Sequence, residues 1–205
     1  MAVFMAFLSA GDVLGLGALE YPFRVVILAA VLWIFSRHVI DLRMPHWLGS
    51  IALGVAVFVL WVAPDVLWPG YRSHAIFTLF GKVESSVPAE LRADPLVLIF
   101  RFARAALIVP IVEELFWRSW LMRWLIRNDF LSVPLGAYAR DAFWITAALF
   151  GLEHGPYWEV GLLCGVVFNW WMVRTRSLGD CILTHAVTNG ILSAYVIAGG
   201  HWQYW

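Results

Sequence analysis

Two adjacent glutamates and an arginine stand inside an apolar stretch of the chain, IVEELFWRSW at residues 111–120. On an α-helix Glu114 and Arg118 are four residues apart and meet on one face, with the acid on the favourable N-terminal side. Glu113 is five residues from Arg118, about 140° around the helix axis, and points elsewhere. The spacing therefore predicts that Arg118 neutralises Glu114, as a supporting pair, while Glu113 is free to act as a general base.

Two further polar clusters lie in apolar stretches. FGLEH at residues 150–154 ends on His154, a candidate acid, base or ligand. In HAVTN, His185 and Asn189 are four residues apart, so that a ring N–H and a side-chain amide share one helical face and could stabilise developing negative charge. A base, a histidine that shares its water and two such donors are the groups that amide hydrolysis needs. We therefore predict that Glu113, His154, His185 and Asn189 are catalytic.

Each cluster also has a purely structural interpretation. A single histidine or asparagine within a membrane is more often a hydrogen-bonding link between helices than a catalyst. A Glu–Arg pair in a helix is more often structural still. Only 14% of the residues are charged, however, and ionisable groups inside membrane spans are costly. Three clusters with complementary chemistry in such a chain favour catalysis.

The composition indicates an integral membrane protein. Of the 205 residues 62% are hydrophobic, and the mean hydropathy is +0.78. The formal net charge is zero and no polybasic run is present, so nothing favours a nucleic-acid partner, and the expected partner is the lipid bilayer. The length suits one membrane-embedded domain, residues 1–205, with the motif-bearing catalytic core at about 95–198.

Apolar runs separated by turn and charge signals predict an all-α fold, a polytopic transmembrane bundle of about seven or eight membrane helices. The fourth run is expected to continue as an amphipathic helix to about Ile126, and Pro110 is expected to kink it. The first run lacks the positively charged start of a secretory signal, so we interpret it as a retained membrane segment. The runs cover approximately residues 1–19, 23–40, 46–64, 95–113, 141–154, 157–173 and 178–198.

The arginines predict the orientation in the membrane. Cytoplasmic loops of membrane proteins are enriched in Lys and Arg, and if the spans alternate, eight arginines fall on one side, which we expect to be cytoplasmic. They are Arg37, Arg43, Arg118, Arg123, Arg127, Arg140, Arg174 and Arg176.

The three clusters resemble the motifs of the CAAX protease and bacteriocin-processing (CPBP) family of intramembrane endopeptidases, which includes the CAAX prenyl proteases. That family shows EExxxR, FxxxH and HxxxN/D, in this order, on successive membrane helices. Here the motifs read EELFWR, FGLEH and HAVTN and span about 75 residues of the C-terminal half. The compact chain also resembles the exosortase-associated bacterial subgroup, which implies a location in a prokaryotic inner (cytoplasmic) membrane.

The resemblance implies a glutamic-type peptidase that cleaves near the C-terminus of a hydrophobic, lipidated or membrane-anchored protein. In that mechanism Glu113 and His154 activate water, while His185 and Asn189 hold the oxyanion. Glu114 and Arg118 are then supporting residues, in agreement with the helical geometry. Glu153, beside His154, is an additional acid that the family pattern does not require.

Other functions are considered beside this one. Glu113, His154 and His185 could supply the His-His-Glu ligand set of a zinc-dependent protease, but no HExxH motif is present, and we predict no metal and no cofactor. Buried charges could also form an ion path in a transporter, although the chain is small and has no internal repeat. A non-proteolytic membrane scaffold is the third alternative.

Four more residues are candidates for substrate binding. Arg101 and Arg104 lie in the span before the glutamates, where they either snorkel to the membrane edge, the simpler explanation, or bind a substrate carboxylate such as a free peptide C-terminus. Trp117 and Trp120 either anchor the helix at the membrane interface, which we favour, or line a groove for an apolar substrate.

Overall fold

The computed structural model describes residues 16–205. Within that range the chain forms six long helices and no strand, which confirms the all-α prediction. Residues 1–15 of the first predicted span lie outside the described part. The helices are Glu20–Ser36 (α1), Trp47–Leu67 (α2), Pro95–Trp124 (α3), Arg140–Glu153 (α4), Trp158–Thr175 (α5) and Leu178–Gly199 (α6).

The helices form the polytopic bundle that the composition predicts. Four helical segments of the described part are long and apolar enough to cross a membrane: Gly17–Ser36, Trp47–Leu67, Pro95–Trp124 and Leu178–Gly199. With 14 residues, α4 is about 21 Å long, shorter than the ~30 Å hydrocarbon core, and it pairs with α5 as a hairpin. The continuation of the fourth run expected to reach about Ile126 is the C-terminal part of α3, which ends at Trp124.

Helix α3 is irregular around the proline. Two π-helical segments, Arg104–Ile108 and Leu115–Leu121, interrupt it on either side of Pro110. Proline cannot donate an N–H, and its ring crowds the carbonyl four residues earlier, here that of Ala106. The wider π turn accommodates this conflict, so the distortion expected at Pro110 takes the form of a π turn directly before it.

The loops after α1, α3 and α5 meet at one end of the bundle. The Ser177 hydroxyl donates to the carbonyl of Arg43 at 3.0 Å, and buried Asp180 accepts from the Ser50 hydroxyl at 3.0 Å. Gly136 of the α3–α4 loop packs against Arg176. The exposed arginines at this end are Arg37, Arg43, Arg127, Arg140, Arg174 and Arg176, so the charge asymmetry noted in the sequence is a property of one end of the fold.

The opposite end is tied together by a buried arginine. Arg72, in the long α2–α3 connection, binds Asp65 and donates to the carbonyl of Pro156 at 2.8 Å. The Tyr204 hydroxyl donates to the same aspartate at 2.9 Å. These contacts hold the connection and the C-terminal turn over the α4–α5 hairpin.

We expect Gly54→Ala to destabilise the bundle, because α2 and α6 approach closely at this residue. A Cβ there would lie 2.7 Å from the carbonyl oxygen of Thr184 and 2.8 Å from Cβ of Val187. Overpacking of this kind costs about 1–3 kcal/mol, which thermal unfolding of the purified protein in detergent would measure.

Gly190→Ala is the matched control for this prediction. The nearest atom to its added Cβ is Cβ of Ala106, at 3.8 Å. Alanine has a higher helix propensity than glycine, so this variant should be as stable as the wild type or more stable. Equal unfolding temperatures for Gly54→Ala and the wild type would contradict the close approach of α2 and α6.

Candidate active site

A cavity of about 330 Å³ lies between α2, α3, α4, α5 and α6. The structure brings the four predicted catalytic residues together on its wall: Glu113, His154, His185 and Asn189. They come from three helices and from motifs that are far apart in the sequence. The rest of the lining is mostly apolar, so polar chemistry in the cavity depends on these few side chains.

Glu113 is the buried one of two glutamates that line the cavity, the other being Glu153. Glu113 is 7% exposed, and its Oε2 atom has no hydrogen-bond partner within the described residues. Burying an unpaired carboxylate is unfavourable, and such groups in membrane proteins usually mark functional sites. The sequence predicted that the two glutamates point in different directions, and this placement agrees with it, since Glu114 binds other residues.

Glu114 and Arg118 form the predicted pair, with both side chains fully buried. Arg118 Nη1 donates to Glu114 Oε1 at 3.0 Å, and Arg118 Nε donates to Asn169 Oδ1 at 3.1 Å. Asn169 in turn donates to the carbonyl of Phe143 at 2.8 Å. This chain of hydrogen bonds joins α3, α5 and α4, and charge-assisted bonds in such an apolar setting hold their members firmly.

Aromatic rings cover the guanidinium of Arg118. Its central carbon lies 4.6 Å from the ring centre of Phe150 and 5.3 Å from that of Phe168. The same Phe168 ring stacks on the imidazole of His185, with 5.1 Å between the ring centres. The rings exclude water from the pair and bring the arginine and the histidine into one packed unit.

His185 is the second partner of Glu114, which the sequence reasoning missed. His185 Nδ1 lies 2.9 Å from Glu114 Oε1. The carboxylate beside Arg118 accepts hydrogen bonds only, so Nδ1–H is the donor. A neutral His185 then presents a lone pair on Nε2, and it donates from Nε2 only when the ring is protonated.

His154 stands at the C-terminal end of α4, next to Gly155, whose φ of +56° allows the sharp turn into α5. Its Nδ1 donates to the carbonyl of Phe150 at 2.6 Å, so the Nε2 lone pair remains for a water or a substrate. The rings of Trp61 and Phe150 pack against the imidazole, at 5.2 and 4.7 Å between ring centres. The ring orientation is therefore fixed by contacts on several sides.

Asn189 lies one helical turn beyond His185 on α6. Its Nδ2 donates to the carbonyl of Ala105 at 3.0 Å. Ala105 belongs to the π segment Arg104–Ile108. An amide nitrogen carries two N–H groups, so one fixes the side chain to α3 while the second remains for the cavity.

The remaining candidates divide into two groups. Arg101, Arg104 and Glu153 line the cavity. Trp117 and Trp120 lie outside its lining: Trp117 is buried edge-on against Phe150, and Trp120 stacks on Trp124 with 5.9 Å between ring centres. The structure therefore does not bring the two tryptophans to the cavity with the other candidates.

The zinc alternative requires three ligands at suitable distances. Within residues 16–205, no three His, Cys, Asp or Glu side chains form a group that could hold a metal ion. Nδ1 of both His154 and His185 is hydrogen-bonded, so only Nε2 of each ring would be open to a metal, and such second-shell bonds are common among metal-ligating histidines.

Comparison with known families supports the motif interpretation. Residues 95–191 match the family model of the type II CAAX prenyl endopeptidase Rce1-like proteins. The match covers all three motifs and confirms the resemblance to the CAAX proteases. No curated protein and no solved structure matches the chain significantly.

Arg118→Ala should sharply reduce the folded yield, because it leaves the Glu114 carboxylate fully buried without its cation. Breaking a buried ion pair from one side costs about 3–5 kcal/mol. The measurement is the monodisperse yield and thermal unfolding of the purified protein in detergent.

Two variants control this prediction. Arg174→Ala, at an exposed arginine, should leave yield and unfolding temperature unchanged. Adding Glu114→Gln to Arg118→Ala should recover part of the loss, since the stranded charge is then removed. Normal yield of the single variant together with lost turnover would instead place Arg118 in the chemistry.

Proposed function

We propose that this chain is an intramembrane endopeptidase that uses Glu113 to activate water. Its substrate is a hydrophobic, lipidated or membrane-anchored protein, cleaved near its C-terminus. The observation that carries the proposal is one cavity on which an unpaired buried carboxylate, two orientationally fixed histidines and an amide converge.

The hydrolytic step follows from these positions. Glu113 accepts a proton from a water molecule, and the oxygen atom of that water attacks the peptide carbonyl carbon. The Nε2 lone pair of His154 accepts a hydrogen bond from the second hydrogen of the water. A C–O bond forms and the carbonyl oxygen becomes an oxyanion. The intermediate then collapses, the C–N bond breaks, and the proton held by Glu113 passes to the leaving amine. Water and amide give an acid and an amine.

The oxyanion is stabilised from α6. His185, as an imidazolium, donates from Nε2, and Asn189 donates its second Nδ2–H. Glu114 is essential to this arrangement because its carboxylate fixes the orientation of the histidine ring through Nδ1. Arg118 and Asn169 are positioning residues that hold Glu114, and they do not touch the substrate.

The setting supports a membrane-anchored substrate. The cavity lies among helices that cross the bilayer, and its lining is largely apolar. We place the protein in a prokaryotic inner membrane as one domain, with the arginine-rich end in the cytoplasm because that end exposes six arginines.

Glu113→Gln should abolish cleavage without unfolding the protein. General-base catalysis contributes roughly 10²–10⁴-fold, so kcat should fall by at least about a hundredfold, as measured by mass spectrometry on lipidated C-terminal peptides with the protein in lipid nanodiscs. Glu90→Gln, an exposed glutamate outside the cavity, is the matched control and should retain full turnover.

The same assay tests the mechanism against its alternatives. His185→Ala should also lose turnover, and a strong chelator should leave the wild type active. Loss of activity with the chelator, restored by zinc, would support the metal-dependent mechanism. Unchanged cleavage by both Glu113→Gln and His185→Ala would refute the proposed site.

A further inference from the structure

Arg104 differs from the other buried arginines of the described residues. It is 7% exposed and lines the cavity, yet it has no hydrogen bond or ion pair from its guanidinium to any residue within 16–205. The others are paired: Arg24 with Glu20, Arg72 with Asp65, Arg118 with Glu114, and Arg123 with the carbonyl of Phe130. The charged groups that act on Arg104 include Arg24 and Glu20, and this carboxylate is already paired with Arg24. A buried cation without its own hydrogen-bonded counter-charge is unfavourable, so the cavity favours an anion at this position.

Arg101, one turn earlier in α3, has partners for its guanidinium. It is half-buried, its Nη2 donates to the Ser86 hydroxyl at 2.6 Å, and its guanidinium lies over the ring of Trp205 at 5.4 Å. Its head group is therefore held by the loop and the C-terminal turn at the end of the bundle, as expected of an arginine that reaches the membrane edge. Both arginines line the cavity, but only Arg104 has a guanidinium without a hydrogen-bond partner in the described residues.

The π segment Arg104–Ile108 explains why Arg104 shares a cavity with Glu113. Nine residues of regular α-helix rotate by about 900° and would put the two side chains on opposite faces. The extra residue of a π turn changes this phase by about 100°. Asn189 fixes the same turn through the carbonyl of Ala105. The functional cavity therefore depends on the irregularity of α3.

The separation along the helix excludes a role for Arg104 at the scissile bond. Nine residues correspond to about 13 Å along the axis, whereas groups that act on one carbonyl must lie within about 3 Å of it. Arg104 is instead placed to contact the substrate several residues away from the bond that Glu113 cleaves. A planar guanidinium matches a carboxylate with two parallel hydrogen bonds.

We infer that Arg104 forms a carboxylate subsite that binds the free C-terminus of the substrate and so selects chain ends over internal segments. The inference rests on the proposed peptidase function and adds the group by which the enzyme recognises its substrate. Removing Arg104 should cost little stability, because no protein partner in the described residues is left unpaired. This expectation distinguishes it from a structural arginine such as Arg118.

The test compares two peptides that differ only at the end: one with a free C-terminal carboxylate and one with a C-terminal amide, both anchored by the same lipid. Wild type should cleave the acid with a KM about tenfold to a hundredfold lower than the amide, the range for a hydrogen-bonded charge. Arg104→Gln should raise the KM for the acid to that for the amide, with kcat largely unchanged and with normal folded yield. Arg104→Lys should restore part of the preference.

Arg174→Gln, at an exposed arginine outside the cavity lining, is the matched control, and it should keep the preference for the acid. Equal cleavage of acid and amide by wild type would overturn the carboxylate subsite while leaving the peptidase proposal intact. Loss of the preference in Arg101→Gln but not in Arg104→Gln would move the subsite to Arg101 and overturn the assignment. Cleavage of neither peptide by folded wild type would count against the peptidase proposal itself.

Discussion

The site depends on a single buried carboxylate oxygen, Glu114 Oε1, which accepts from Arg118 at 3.0 Å and from His185 at 2.9 Å. This oxygen links α3 to α6, and Arg118 extends the link to α5 through Asn169. In an apolar interior no water can replace a missing partner, so the side chains of Glu114, Arg118 and His185 must be buried together or not at all. The geometry of the proposed oxyanion donors follows from this requirement.

The second constraint is the irregular backbone of α3. Pro110 removes one backbone donor, and the π turns on both sides of it change which side chains face the cavity. In a regular α-helix the backbone carbonyl of Ala105 would accept a hydrogen bond from within the helix. Here that carbonyl accepts from Asn189. A distortion that weakens the helix therefore also connects it to α6, and helical irregularities of this kind are frequent at functional sites.

The paired charged side chains of this bundle hold its parts together, whereas the unpaired ones line the cavity. Arg72 and Arg118 each satisfy a carboxylate and hold helices or loops together. Glu113 and Arg104 remain without partners in the described residues, and both line the cavity. Since burial of an unpaired charge is costly, the presence of two such groups in one cavity agrees with the proposal that the substrate and the reaction supply the missing partners.

The sequence by itself determined the helical class, the positions of the helices within a few residues and the separate orientations of Glu113 and Glu114, because these depend on local hydropathy and on the 3.6-residue period. It also predicted the pairing of Glu114 with Arg118, which lie one turn apart. Only the tertiary structure decided that His185 binds Glu114 across 71 residues and that Asn169 holds Arg118. Likewise, the different surroundings of Arg101 and Arg104 and the placement of Trp117 and Trp120 outside the cavity depend on helix phase and on packing between helices. Neither helix phase nor packing between helices can be predicted from the residue spacing within one helix. In α3 the π turns also change which side chains share a face.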